Sequence, residues 1–217
     1  MSHKPQKNKV MNGVANKFPE ELKKGVAHIM RYNVSEERAS QFNLEALFAG
    51  HGGLTRIKAG DYVKLGINGR LMMSDTPFER RTNQGFVDNA KGHVMIAGLG
   101  IGLILEALRP KIESGEVLDI VVYEKYQDVI DLVGPLYKDL PLTIKCADIL
   151  EYIPSKEERY DTLYFDIWPT VDSDNLAEMA KLHQRWKTRK NKGGWMNSWM
   201  CDYLRAERKR EQRSYYW

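Results

Sequence analysis

Cysteine is scarce: there are two in 217 residues, Cys146 and Cys201, too far apart to belong to a Cys-x-x-Cys pattern. That excludes a disulfide framework and a cysteine-based zinc site, and both residues read as reduced intracellular thiols. The five histidines are scattered with no pair at ligand spacing, so a metal centre finds no support. Long hydrophobic runs are absent as well. The longest uncharged apolar stretch, Val94 to Leu105, is too short and too rich in glycine to span a bilayer. Met1 to Val10 is lysine-rich, but no apolar signal core follows it, which sets the expectation of a cytoplasmic protein with no membrane association. A strong excess of one charge is also lacking, since the formal net charge is +4. The surplus is concentrated after Lys181, where Arg185, Lys187, Arg189, Lys190, Lys192, Arg205, Arg208, Lys209, Arg210 and Arg213 outnumber the acids. A solvated basic face accounts for it, and a nucleic-acid partner is the less favoured reading.

What remains is ordinary globular material, long enough to bury one good core with an extension. Ser35, followed by Glu36 and Glu37, can cap a helix carrying Ala39, Phe42 and Ala46 on one side, and His51-Gly52-Gly53 breaks the chain after it. Asp61 to Leu65 and Arg70 to Met73 read as a hairpin around Asn68-Gly69, the favoured two-residue turn. From His93 onward, strand-like runs alternate with helical spacing, which predicts a parallel α/β sheet. The predicted strands are His93 to Ala97, Val117 to Tyr123, Leu142 to Cys146, Thr162 to Phe165 and Trp195 to Met200. Helices are expected from about Gly102 to Arg109, after the second strand to about Tyr137, from about Asn175 to Thr188, and from Cys201 on. The aromatic cluster Tyr215, Tyr216 and Trp217 closes the chain. The expected division is an N-terminal extension of helix and hairpin over 1–88 and a cofactor-binding unit over 89–217.

The most telling residues are His93-Val94-Met95-Ile96-Ala97-Gly98-Leu99-Gly100-Ile101-Gly102, with an apolar helical stretch following. A strand that ends in glycines lets the backbone approach a ligand closely, and the next helix aims its unpaired N–H groups there. A dinucleotide fingerprint needs its third small residue at 103, which is Leu, whereas here the third glycine falls at 102. No Gly-Lys-Ser/Thr follows, so Walker-A chemistry is excluded. Three acids then lie at successive carboxyl ends of predicted strands: Glu124, Asp148 and Asp166. Any one alone reads as a cap or a surface acid; together, beside the glycine loop, they outline a nucleoside crevice.

In the Gly98-x-Gly100-x-Gly102 motif, the strand-end acids and the Lys192-Gly193-Gly194 turn, the chain resembles class I S-adenosylmethionine-dependent methyltransferases over about half its length. The resemblance implies a Rossmann-like fold, here lacking the last two strands, and S-adenosylmethionine as cofactor. It implies cofactor contacts from Gly98, Leu99, Gly100 and Gly102, from Glu124 and Lys125 at the ribose, and from Asp148 and Ile149 at the adenine, with Asp166 near the transferred carbon. Two subfamilies are echoed further. The upstream hairpin and Tyr160-Asp161-Thr162-Leu163-Tyr164-Phe165-Asp166 resemble spermidine synthases, but Asp166-Ile167-Trp168-Pro169 lacks their second loop acid, leaving Asp172 or Asp174 as substitutes. Tyr160 to Pro169 is also similar to the guanidinoacetate methyltransferase group, in which an upstream Glu grips the guanidine; Met72 to Phe78 is a loose echo that places Asp75 opposite it.

The expected function is methyl transfer to a small amine-like or carboxyl substrate. Asp166 would aid the nucleophile, Asp75 would orient the substrate, and Trp168 would wall the pocket or stack on a cation. The alternatives are aminopropyl transfer and a non-catalytic assembly or binding protein. With no sixth strand, strand five is an open edge, and a homo-oligomer through that edge or the C-terminal helix is one way to cover it.

Overall fold

The computed structural model describes residues 11–48 and 55–214; the lysine-rich start Met1 to Val10, His51-Gly52-Gly53 and Tyr215 to Trp217 lie outside them. Two sheets form the molecule. The first is a four-stranded antiparallel meander: β1 (Glu21–Lys24), β2 (Ala27–Val34), β3 (Gly60–Ile67) and β4 (Arg70–Ser74). Helix α1 (Glu36–Phe48) lies between β2 and β3, with Ser35 Oγ accepting from the Arg38 amide as the cap predicts. The β3–β4 turn is the expected Asn68-Gly69, and both residues have positive φ, 51° and 76°, as a two-residue turn that matches strand twist requires.

Helix α2 (Pro77–Asn89) leads to the second sheet, which is wholly parallel. Its strands are β5 (Gly92–Ala97), β6 (Val117–Glu124), β7 (Leu142–Cys146), β8 (Tyr160–Phe165) and β9 (Lys190–Ser198), in the order β7-β6-β5-β8-β9. The intervening helices are α3 (Leu103–Glu113), α4 (Gln127–Val133) and α5 (Asn175–Trp186), and α6 (Cys201–Ser214) follows the last strand. The chain moves outward from β5 to β7 and then returns to β8 on the other side. The strand order therefore reverses beside β5, where ligands of open α/β sheets bind. The doubly wound α/β class expected from the sequence is the observed one.

Alternation along the central strands explains how both faces are covered. Val94 and Ile96 of β5, Ile120 and Val122 of β6 and Tyr164 of β8 face a core shared with α2, α3, α4 and the antiparallel sheet. Met95, Ala97, Tyr123, Leu163 and Phe165 face the opposite core, closed by α5 and by Cys201 and Leu204 of α6. Each buried Val, Ile, Leu, Met or Phe among them is worth about 1.5–3 kcal/mol. The antiparallel sheet is clipped to this core by polar contacts. The Val26 amide donates to Asp128 Oδ2 of α4 at 3.0 Å, and Lys24 pairs with Asp131.

Several elements differ from expectation. Strands β1 and β2 and helix α2 were not read from the sequence. Helix α3 continues past the expected end at Arg109, through the exposed Pro110, to Glu113. Strand β9 starts at Lys190, so Gly193-Gly194 lies within it, and it ends at Ser198 rather than Met200. Among the described residues β9 pairs only with β8, and none of the helices is long and apolar enough to cross a membrane.

Asp75 holds the entry to α2 together. It is fully buried, and its carboxylate accepts from the amides of Val14 (2.8 Å), Ala15 (3.1 Å) and Val63 (2.8 Å), with Arg80 Nη2 at 3.7 Å. Asp75→Asn turns one of these acceptors into a donor facing donors. It should lower unfolding stability by about 2–4 kcal/mol, measured by chemical denaturation.

Candidate functional site

At the carboxyl ends of β5, β6 and β8 the chain encloses a cavity of about 210 Å³. Its floor is the loop after β5, which is locked between neighbours: the Gly98 amide donates to the Tyr123 carbonyl at 2.8 Å, and the Asp166 amide to the Ala97 carbonyl at 2.8 Å. Gly98 (φ +100°) lies so close to the end of β8 that a Cβ would overlap the Asp166 carbonyl. Gly100 (φ +53°) is covered by the hairpin, and a Cβ there would overlap Met73 Sδ. The glycines are thus needed for protein neighbours as well as for close approach by a ligand. Gly102 caps α3 in the left-handed conformation and is buried against the Tyr137 ring, so it shapes the loop without lining the cavity.

Most of the residues expected at the cofactor meet here: Gly98, Leu99, Gly100, Glu124, Lys125, Asp148, Ile149 and Asp166 all line the cavity, as does Trp168. Glu124 is buried, and its two oxygens accept from the Leu99 and Tyr126 amides, each at 2.9 Å. Burial pushes its carboxyl above the usual range, against the opposing pull of those amides. The Gly100 and Lys125 amides add to that pull. Asp148 accepts from the Leu150 amide at 3.0 Å and pairs with Lys125 Nζ at 2.8 Å. Partial burial alone would raise its carboxyl; the Lys125 ammonium and the Leu150 amide hold it below the usual range.

The other end of the cavity is different. Asp166 is pushed up to about 7 by burial, opposed only by a hydrogen bond from Asn83. Glu79, from α2, lines the same end and is pushed up to about 8, by burial and then by the Asp166 charge. Asn83 is itself fully buried and its Oδ1 accepts from Tyr164 Oη at 2.7 Å. Tyr164 stacks on Phe86, with centroids 4.4 Å apart. Trp168 donates its Nε1 to Glu178 at 2.7 Å, and Trp199 donates its Nε1 to Thr82 at 3.0 Å, so both rings wall the cavity with their polar edges already used. Because both carboxyls titrate higher folded than unfolded, the stability they contribute falls as pH rises from the carboxylate range through about 8.

Asp75, expected to orient the substrate, does not line the cavity; its carboxylate is committed to three buried amides. Asp172 and Asp174 are exposed and do not line it either. Glu79 and Trp199 are the site residues that sequence reasoning missed. The signal for Glu79 was present: Thr76-Pro77 is an N-cap position followed by proline at the first helical turn, with Glu79 in that turn. Among the described residues there is no group of three or more potential metal ligands.

No protein-family profile matches the chain, and no curated protein sequence does so. Solved structures overlap with about half of it. An S-adenosylmethionine-dependent methyltransferase from Clostridium acetobutylicum aligns at 14% identity over 50% of this chain and 43% of that one, with a TM-score of 0.37. The N-methyltransferase NodS from Bradyrhizobium japonicum aligns at 16% identity over 56% of this chain and 67% of that one, TM-score 0.43. A putative Zn-dependent alcohol dehydrogenase from Rhodobacter sphaeroides aligns at 24% identity over 50% of this chain and 40% of that one, TM-score 0.35. The chain spans less than half the length of two of these, and proteins of two different chemistries are among them. The functional reading therefore rests on the cavity's own residues.

Gly100→Ala places a methyl group against Met73 and forces an L-residue to positive φ. It should cost about 1–3 kcal/mol of stability. Adding Met73→Ala should relieve the overlap but not the φ penalty, so the double variant should recover part of the loss relative to Met73→Ala alone. Full recovery in that cycle would show that the left-handed backbone carries no strain.

Proposed function

We propose that this chain is an S-adenosylmethionine-dependent transferase that methylates a small acceptor. The observation that supports it is one continuous cavity carrying three kinds of group in sequence. Asp148 and Ile149 stand at one end, Glu124 and the Leu99–Gly100 backbone in the middle, and Asp166 at the other. That donor set suits an adenosine with a charged tail. Asp148 can accept from the adenine amino group with Ile149 against the base, and Glu124 can accept from the ribose hydroxyls. The Leu99–Gly100 stretch of the glycine loop lines the cavity beside them.

When bound, the sulfonium cofactor supplies a methyl carbon on a good leaving group. The chain's own work is then alignment and proton handling. In that state the cavity walls would orient the acceptor nitrogen, and the Asp166 carboxylate, fixed by Asn83, would take the proton that nitrogen gives up. Aminopropyl transfer is the weaker reading, because the loop acids it called on, Asp172 and Asp174, are at the surface.

Isothermal titration tests the cofactor. S-adenosylhomocysteine should bind with a Kd in the range of about 1–100 µM while NAD gives no heat, and the reverse result overturns the reading. Asp166→Asn should then lower turnover about a hundredfold or more with cofactor affinity unchanged. Because Asp166 is active only when ionised, wild-type kcat should rise as pH passes through about 7 and level off above it.

A further inference from the structure

We propose that Arg185 of α5 is a positioning residue: it holds the turn after β7 in shape, and loosening that turn costs the site its selection of adenine over a base without the amino group. The selection of adenine rests on the transferase reading above; the hold on the turn does not.

Residues Asp148 to Tyr152 form a tight turn beyond the carboxyl end of β7, in which the Glu151 and Tyr152 amides both donate to the Asp148 carbonyl, at 3.0 and 2.8 Å. A single helical turn that is not continued leaves its later carbonyls without amides to meet them. Arg185 meets three of these. Its Nη1 donates to the carbonyl of Leu150 and, at 3.3 Å each, to those of Ile149 and Tyr152.

One peptide unit carries this contact to the cavity. The unit joining Ile149 to Leu150 presents its carbonyl to Arg185 and its N–H to Asp148 Oδ1, at 3.0 Å. Asp148 Oδ2 is held in turn by Lys125. Guanidinium, peptide and carboxylate therefore form a line from α5 to the wall where Asp148, Ile149 and Leu150 stand. Tilting that peptide would move both the carboxylate proposed for the adenine amino group and the Ile149 side chain proposed for the base.

The next residue of α5 grips the same turn by its ring. Tyr152 stacks on Trp186 with centroids 6.1 Å apart, and its Oη donates to Glu158 at 2.9 Å. Trp186 is fully buried, so a change there disturbs the core. Arg185 is different: it is exposed, does not line the cavity, and among the described residues pairs with no carboxylate. The sequence places it in the basic surplus after Lys181, where a solvated face is the plain expectation. Its guanidinium is instead spent on backbone carbonyls, and bonds from a charged donor are stronger than neutral ones.

Two variants test the role on the full chain. Arg185→Met keeps an apolar stem and removes the donors, and Arg185→Lys returns a charged donor. Hydrogen exchange without ligand reads the turn itself. In Arg185→Met the Glu151 and Tyr152 amides should exchange about tenfold faster, while the Met95 and Ile96 amides of β5 and the unfolding temperature stay near wild type. Titration calorimetry then compares S-adenosylhomocysteine with S-inosylhomocysteine, whose base carries a carbonyl oxygen in place of the amino group. The wild type should prefer the adenine form by about tenfold or more, and in Arg185→Met that preference should shrink by about threefold or more through weaker S-adenosylhomocysteine binding. Arg185→Lys should recover part of both effects. Unchanged exchange at the two amides in Arg185→Met would overturn the hold on the turn. Equal weakening of both analogues, with the preference intact, would overturn the role in base selection, since a general loosening of the fold acts on both alike. A chain that binds neither analogue removes the transferase reading and the base selection that rests on it, and the exchange result still decides whether Arg185 holds the turn.

Discussion

The close approach of the β5 loop to the end of β8 is the constraint on which the site depends. Gly98 lets the loop lie against the Asp166 carbonyl, and the paired bonds to Tyr123 and from Asp166 hold it between both flanking strands. A side chain at 98 would push β8 away, and with it the carboxyl that closes the cavity. Strand pairing, loop shape and acid placement are thus one mechanical unit. It stands on a central strand whose alternate residues are buried in two separate cores.

The cavity that results is electrically polarised. Away from Asp166 the charges have partners: Asp148 has Lys125, and Glu124 has backbone amides, among them those of Leu99 and Tyr126. At the other end burial raises the proton affinity of both Glu79 and Asp166, and the Asp166 charge adds to it at Glu79, in a space walled by indole rings. Carboxyls shifted in this way by burial in a cleft are characteristic of functional sites. Asn83 and Tyr164 keep Asp166 oriented and pass that rigidity back into the core through the Phe86 stack.

The antiparallel sheet completes this arrangement. Its hairpin residues Leu65, Ile67, Met72 and Met73 roof the glycine loop. Asp75, at the end of that hairpin, ties three distant amides together and sets where α2 begins. Glu79 reaches the cavity because α2 starts there. The extension therefore does two jobs, covering the loop and delivering one of the two acids.

The sequence by itself determined the alternating α/β core, the hairpin turn at Asn68-Gly69 and the line of residues from Gly98 through Glu124 and Asp148 to Asp166. These are local signals, readable because strand ends, turn glycines and apolar periods are written in neighbouring residues. Strands β1 and β2 and helix α2 were hidden: charged and polar residues interrupt their periods, and burial against a partner sheet overrides weak local preference. Only the tertiary structure decided which acid serves which purpose. Asp75 and Glu79 are four residues apart, yet one faces buried amides and the other faces the cavity. Asp166 lies 87 residues beyond Glu79 and meets it only because the parallel sheet brings the end of β8 beside α2.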